Sequence, residues 1–295
     1  MKNNKQELWF VGTTSFVGRC IVEKLAEKYH VFAIASHQGV KPDPEPLKNE
    51  NIQLTELDLL SQDLSDSFYN ELLTPQVAFY FSNFGLYDPI KRTIELAYLS
   101  QYVNLILKKS GKRIVYVVRK VDVYYIKPMV EMFKDSGIQY TIIIKDWIWE
   151  KGTFLYESLR KIAARRYRLS WKAVEEKEVY PIPMEGFLNS VLLIVNQDEF
   201  INKVVQVQGD IKCTIRRLID SVSKTTNILR VPFPFVVSSI LNWALKKYYK
   251  IPDEDFHLIK VSFLKNKFKL FHDYYIKREL VEVPYSQYVS FPLKK

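Results

Sequence analysis

The chain has 295 residues, 47% of them apolar, so it can form one large or two small domains, and wholesale disorder is excluded. Its net charge of +10 favours anionic partners such as nucleotide phosphates, nucleic acid or an anionic membrane surface. Residues 1–7 lack a signal-peptide core, the two cysteines are far apart, and no apolar stretch reaches the roughly 18 residues of a membrane span, so we expect a cytoplasmic protein with reduced thiols.

The first half of the chain alternates short apolar segments with amphipathic ones. Segments rich in β-branched and aromatic residues predict strands over residues 8–12, 30–36, 52–57, 76–82, 113–118 and 138–144. Apolar periodicity predicts helices over residues 16–28, 64–73, 90–109 and 122–136. Strands that are apolar on both faces and separated by helices imply a buried parallel sheet. The predicted fold class is α/β, a Rossmann-type doubly wound parallel sheet with a smaller C-terminal region.

The turn between the first strand and the first helix carries two glycines. Gly12 ends the strand, where the chain must turn tightly, and Gly18 lies one turn into the helix, where a missing side chain lets helix and sheet approach. The helix N-terminus presents N–H groups and a positive dipole to a pyrophosphate. We therefore predict a dinucleotide site, with an ordinary turn that binds nothing as the alternative. Its predicted lining is Gly12, Thr14, Ser15, Phe16, Val17, Gly18 and Arg19.

This turn resembles that of the short-chain dehydrogenase/reductase superfamily, in the extended or atypical branch. That branch includes nucleotide-sugar epimerase-like, NmrA-like and isoflavone-reductase-like proteins, whose loop reads GxxGxxG and is commonly followed by Arg. Gly12, Gly18 and Arg19 match this loop, and Ser15 replaces its middle glycine. The resemblance covers about residues 8–245, and it implies an NAD(P)-binding fold without specifying the reaction.

Further positions of the resemblance imply contacts with the nucleotide. Asp58 and Leu59 match the acidic position after the third strand, which in the family usually faces the adenine. Ser82 and Asn83 stand at the end of the fourth strand, where the family contacts adenine and ribose. Two later stretches are also similar to segments of the family: residues 137–148 and 179–186.

The end of the second predicted strand bears on the choice of cofactor. An NAD-specific site usually has Asp or Glu there, bound to the ribose 2′-OH. Here the strand ends with Ser36 and His37, and the lack of an acid permits a 2′-phosphate that Arg19, Ser36, His37 or Lys41 could reach. We predict NADP(H) as the cofactor, with NAD(H) as the alternative, and a small molecule as the substrate.

The resemblance also implies where catalysis would occur. The family usually uses Tyr-x-x-x-Lys on a helix, because positions i and i+4 share a face and the Lys can lower the Tyr pKa. Lys127 and Glu131 fit the family's Lys-x-x-x-Glu spacing, but Val123 stands where the Tyr is expected. The preceding strand ends in Arg119 and Lys120, where Ser is usual.

Tyr124, three residues before Lys127, is the substitute that the sequence offers, although Pro128 would bend or restart the helix. Three interpretations follow: Lys127 acts alone, as the lysine is thought to do in isoflavone-reductase-like enzymes; Tyr124 serves through altered geometry; or the nucleotide binds without turnover, as in NmrA-like sensors or the complex I accessory subunit with this fold. We predict a reductase of a small carbonyl or unsaturated substrate, with a non-catalytic regulatory or accessory protein as the alternative.

The pattern changes after Lys145, where short elements, prolines and denser charge follow. We predict a dinucleotide-binding domain over residues 1–145 and a smaller substrate-side region over 146–295, with a strand near 204–207 returning to the sheet edge. The sequence indicates no oligomeric state.

Two segments of this second region could contact other molecules. The basic segment 160–172 predicts a solvated amphipathic helix running into a strand, or else an anion-binding surface, and we do not expect nucleic acid. The apolar segment 231–250 predicts core or pocket packing, with a membrane-surface helix as the alternative. A peripheral membrane or protein partner through the basic surface stays open. The four histidines share no ligand spacing, so no metal site is predicted.

Overall fold

A computed structural model describes residues 6–35, 47, 49–60, 72–82, 85–86, 88–165, 167–170, 175–176, 178–223, 229–232, 247–248 and 280–282. The strands are β1 (Glu7–Val11), β2 (His30–Ala35), β3 (Ile52–Glu56), β4 (Val77–Phe81), β5 (Arg113–Arg119), β6 (Gln139–Lys145), β7 (Tyr167–Ser170), β8 (Glu178–Val179), β9 (Lys203–Val207), β10 (Cys213–Thr214), β11 (Leu229–Pro232) and β12 (Leu280–Glu282). The α-helices are α1 (Phe16–Ala26), α2 (Pro89–Lys108), α3 (Lys127–Ser136), α4 (Phe154–Ala163), α5 (Met184–Asn196) and α6 (Ile215–Ser221). Two 3₁₀ helices cover Lys120–Tyr125 and Asp198–Phe200.

Eight of these strands form one sheet, in the order β12-β9-β6-β5-β4-β1-β2-β3. Every neighbouring pair in it is parallel. The prediction of a Rossmann-type doubly wound sheet is therefore confirmed, and the predicted strand near 204–207 joins it as β9 beside β6. Within the described ranges, no helix is long and apolar enough to cross a membrane.

The described residues divide into two compact units. The first draws on Met1–Lys145, Phe187–Val207 and Tyr274–Val283, and the second on Asp146–Gly186, Gln208–Asp273 and Pro284–Lys295. In the second unit, α4 leads into β7, as the basic segment predicts, and β7 pairs with β11 in a separate two-stranded parallel sheet. Most of the predicted helix 64–73 and of the segment 231–250 lies outside the described residues.

The main core of the first unit lies between one face of the sheet and helices α2 and α3. Helix α2 begins at the N-cap Asp88, whose side chain accepts from the Ile90 N–H, and Pro89 supplies a favourable first residue. It buries Tyr98, Leu99 and Tyr102, which share a face of the helix. The ring of Tyr102 packs against that of Tyr80 on β4, with their centres 5.8 Å apart.

The predicted helix over 122–136 is interrupted, and Pro128 was predicted to bend or restart it. The chain forms a 3₁₀ helix over Lys120–Tyr125, and α3 starts only at Lys127, after a break at Ile126. Pro128 causes the break, because proline has no N–H and its ring would clash with the carbonyl oxygen four residues earlier. Tyr124 and Lys127 therefore belong to two separate helical segments. The predicted end at Gly137 is correct, with the left-handed φ of +70° that glycine adopts readily.

Buried Arg113, at the start of β5, ties the end of α5 to the sheet. Its guanidinium donates to the carbonyl oxygens of Val195 at 3.0 Å, Ile194 at 2.9 Å and Gln197 at 3.3 Å. It also donates to the hydroxyl of Thr141 on β6, at 3.3 Å. The three carbonyl oxygens lie at the C-terminal end of α5, where backbone carbonyls lack partners within the helix.

Arg113→Lys is expected to lower the free energy of unfolding by about 1–2 kcal/mol, since an ammonium cannot reproduce the fork of a guanidinium. Urea unfolding measures the effect. The control is Arg160→Lys at an exposed residue whose ion pair with Glu157 spans one helical turn, where we expect a change below about 0.5 kcal/mol. Equal losses in both variants would contradict the assigned role of Arg113.

Candidate functional site

The strand order creates a crevice at the carboxyl edge of the sheet. From β1 the chain continues to β2 and β3 on one side, and then returns to β4, β5 and β6 on the other. The connections leave β1 and β4 in opposite directions, and in open parallel sheets ligands bind at such a switch point. The predicted residues Gly12 and Ser82 directly follow β1 and β4, so both lie at this crevice.

Gly12 occupies a position that a side chain would disturb. Its φ is +116°, in the region that favours glycine. A Cβ at this position would lie 2.7 Å from both the Cβ and the carbonyl oxygen of Phe81. The turn after β1 therefore runs directly against the end of β4.

Gly18 and Ser15 fix the start of α1. A Cβ on Gly18 would lie 2.1 Å from the carbonyl oxygen of Gly12, so this glycine lets the helix sit against the turn. Ser15 is the N-cap residue, and its hydroxyl accepts from the Gly18 N–H at 3.0 Å. The serine in place of the family's middle glycine thus has a structural reason. The N–H groups of Phe16 and Val17 open the helix, where intrahelical partners do not exist.

The remaining predicted residues of the turn differ in burial. Thr14 and Arg19 are half-buried, and the Phe16 side chain is 39% exposed at the helix start. Of the residues proposed near the 2′-phosphate and the ribose, Ser36, His37, Lys41 and Asn83 lie outside the described residues.

Asp58 lies after β3 and organises its own loop. Its Oδ1 accepts from the Leu60 N–H at 3.0 Å and from the Tyr98 hydroxyl of α2 at 3.2 Å. Burial, and next the negative charge of Asp58, raise the pKa of Tyr98 to about 12. Leu59 is buried beside it. The predicted contact of Asp58 and Leu59 with the nucleotide stays a prediction.

The two predicted catalytic residues differ in their surroundings. The Lys127 side chain is 54% exposed, and its ammonium lies 3.5 Å from Glu131 Oε1. Tyr124 is half-buried and packs against the main core. The break at Ile126 separates the two residues, so their side chains do not lie on the same face of one helix.

A buried acid that the sequence did not predict lies on α2, facing β4 and β5. The Glu95 carboxylate is fully buried and accepts from the hydroxyls of Tyr80 at 3.3 Å and Tyr116 at 3.4 Å. Burial raises the pKa of Glu95 to about 7, although the hydroxyls of Ser82, Tyr80 and Tyr116 and the charge of Arg119 lower it. One sequence signal could have revealed it, since Glu95 shares the apolar helix face of Tyr98 and Tyr102.

A second buried acid follows β5, where the family usually carries Ser. Arg119 donates through Nε to Asp122 Oδ2 at 2.5 Å, and Asp122 is 1% exposed. Burial raises the pKa of Asp122, against the lowering by Arg119, the Leu86 N–H and Lys145. The Lys145 ammonium, at the end of β6, lies 5.7 Å from the ring centre of Phe81.

Solved structures with this fold include reductases and an epimerase. The chain is 13% identical to triphenylmethane reductase from Citrobacter sp. in complex with NADP(H), covering 87% of this chain and 88% of that one, with a TM-score of 0.64. The chain is 12% identical to a structure from a set of pinoresinol-lariciresinol and phenylcoumaran benzylic ether reductases. That match covers 95% of this chain and 93% of the other, with a TM-score of 0.63. The chain is also 12% identical to a nucleoside-diphosphate-sugar epimerase from Staphylococcus aureus. That match covers 88% of this chain and 89% of the other, with a TM-score of 0.62.

The chain matches no protein-family model, and no curated protein matches it. At these identities the likeness establishes the fold. The resemblance predicted from Gly12, Gly18 and Arg19 is confirmed at that level, because the solved structures that share the fold include an epimerase and reductases.

Proposed function

We propose that this chain binds NADP(H) at the crevice between β1 and β4. One observation carries the proposal: the N-terminus of α1 is held directly against the turn by Gly18, whose missing Cβ would otherwise lie 2.1 Å from the Gly12 carbonyl oxygen. A helix N-terminus brought to a switch point by glycines is an anion site suited to a pyrophosphate. The reductase from Citrobacter sp., with the same fold, was solved with NADP(H).

The preference for NADP(H) over NAD(H) rests on the end of β2. This strand ends in Ala33, Ile34 and Ala35 without an acid, so no carboxylate there repels a 2′-phosphate. Arg19, in the first turn of α1, supplies a cation next to Gly18. NADPH is therefore expected to raise the melting temperature more than NADH at equal concentration. An equal shift with both nucleotides would remove the preference.

For the reaction, we propose reduction of a small carbonyl or unsaturated substrate. Hydride would move from NADPH to the substrate, and a proton donor of the chain would complete the reduction. Lys127 is exposed enough to reach a ligand, and Tyr124 is three residues away. In this assignment Lys127 orients the ligand and Tyr124 is its candidate proton donor.

NADPH oxidation with a panel of carbonyl compounds tests this assignment. We expect Tyr124→Phe to lower kcat/KM about a hundredfold, at the lower end of the range for lost acid–base catalysis, and Lys127→Met to lower it by about as much through loss of ligand orientation. The control is Lys134→Met, at an exposed lysine of the same helix. Turnover that is unchanged in Lys127→Met would rule out the lysine mechanism.

One observation favours a second function, nucleotide binding without turnover. Where the family usually carries Ser, Arg119 is paired with the buried carboxylate of Asp122, and the Lys127 ammonium faces Glu131. The usual proton-transfer set is therefore not assembled. NADPH binding with no oxidation across the panel is the result expected of a regulatory or accessory protein.

A further inference from the structure

We propose that Glu95, with the hydroxyls of Tyr80 and Tyr116, forms a proton-binding site beneath the crevice that couples dinucleotide binding to proton uptake. This inference rests on the proposed nucleotide site. It concerns a ligand that the proposed reaction does not assign, the proton held by a buried carboxyl group.

The geometry supports a site that holds either protonation state. Glu95 is fully buried, and phenol hydroxyls from two adjacent strands reach its two different oxygens. Tyr80 and Tyr116 are register partners in β4 and β5, so the strand pairing itself places both hydroxyls at one carboxyl group. A carboxylate can accept both bonds, and a protonated carboxyl group retains acceptor capacity because hydroxyls rotate.

The site reaches the crevice through the end of β4. Tyr80, whose hydroxyl donates to Glu95, is followed in the chain by Phe81, and the Gly12 turn packs against Phe81 at the end of β4. A negative charge bound in the crevice therefore acts on Glu95 through the protein interior, where electrostatic interactions are stronger than in water.

Several groups face Glu95 from the elements around it, and they set the sign of the effect. They are Tyr80 of β4, Ser82 directly after it, and Tyr116 and Arg119 of β5; around them, Tyr98 of α2 acts on Tyr80, and Asp122 of the following 3₁₀ helix acts on Tyr116. Arg119 favours the charged form of Glu95, but its partner Asp122 offsets that charge. Burial remains the largest influence, and it raises the pKa of Glu95 to about 7.

The phosphates of a dinucleotide are anionic, so binding favours the neutral, protonated Glu95. By linkage, protonation favours binding to the same extent. Affinity therefore falls as the pH rises through the pKa of Glu95.

Isothermal titration of the full chain with NADP⁺ tests the coupling at pH 6 and at pH 8.5. We expect the affinity of wild type to fall by about fivefold more over this interval than that of Glu95→Gln, at the lower end of typical coupling between sites. The 2′-phosphate titrates near pH 6, but it does so equally in both proteins. Titrations in two buffers of different ionisation enthalpy should show more proton uptake by wild type at neutral pH.

Two further variants serve as a control and as an independent test of the coupling. Glu27→Gln removes an exposed carboxylate at the end of α1 and should behave like wild type. Tyr116→Phe keeps Glu95 but removes a hydroxyl that lowers its pKa, so the midpoint of the pH dependence should move to higher pH. This variant tests the coupling independently if Glu95→Gln does not fold.

Identical pH dependence and proton uptake in wild type, Glu95→Gln and Tyr116→Phe would overturn the coupling while leaving the nucleotide site intact. If wild type binds no NADP⁺ at either pH, the proposed nucleotide site fails and the coupling fails with it.

Discussion

Gly18→Ala is expected to destabilise the protein by about 3 kcal/mol or more, at the upper end of overpacking costs, and to abolish measurable NADP⁺ binding. The added Cβ would lie 2.1 Å from the Gly12 carbonyl oxygen and 2.9 Å from Ser15 Oγ. One of these neighbours is backbone and the other caps α1, so relief requires the helix to move away from the turn. That movement displaces the N–H groups proposed to face the pyrophosphate.

Urea unfolding and titration with NADP⁺ measure the two parts of this prediction. Gly137→Ala is the control, because an added Cβ there would meet nothing within 4 Å, and its cost comes from the positive φ of Gly137, which Gly18 does not share. We expect it to cost only about 1 kcal/mol, the backbone penalty alone, and to leave the affinity unchanged. A folded Gly18→Ala protein that binds NADP⁺ with wild-type affinity would show that the nucleotide does not use this turn.

Glu95→Gln is expected to make the protein more stable than wild type at pH 8.5, by up to about 3 kcal/mol, the free energy equivalent of its raised pKa. Burial raises the pKa of Glu95 from 4.5 to about 7 in the folded state. Between those values the folded state holds more protons than the unfolded state, so stability falls as the pH rises. The contribution is fully present below about pH 4.5 and is lost as the pH passes 7.

Denaturant unfolding of wild type and Glu95→Gln, from pH 5 to pH 8.5, measures this dependence. Other ionisable groups are common to both proteins, so the difference between the two curves isolates Glu95. Glutamine keeps an oxygen that accepts from Tyr80 or Tyr116, and the phenol oxygens can accept from its amide. If the difference in stability between the two proteins is the same at pH 5 and at pH 8.5, Glu95 does not titrate in this range.

The turn after β1 could be predicted closely because its determinants are neighbours in the chain. Gly12, Ser15 and Gly18 act within a single turn and the first residues of a helix, so their spacing carries the information. The sequence did not indicate the cap formed by the Ser15 hydroxyl and the Gly18 N–H. Serine at a helix start is nevertheless a common N-cap, which accounts for the replacement of the family's middle glycine.

The region around Lys127 was predicted in part. Pro128 was expected to bend or restart the helix, and the chain does restart at Lys127. The extent of the separation was not expected, since Tyr124 ends up in a 3₁₀ helix packed against the core. Local sequence indicates where a helix is broken, whereas packing decides which side chains remain near each other.

The sequence by itself determined the α/β class, the strand–turn–helix entry and the stop at Gly137, because each depends on periodicity or on backbone preferences of adjacent residues. The tertiary structure alone decided that Glu95 meets Tyr80 and Tyr116, and that Arg119 is held by Asp122 under the crevice. Such contacts depend on strand order and register, which join residues far apart in the chain. The burial that raises the pKa of Glu95 exists only once those strands and α2 are assembled.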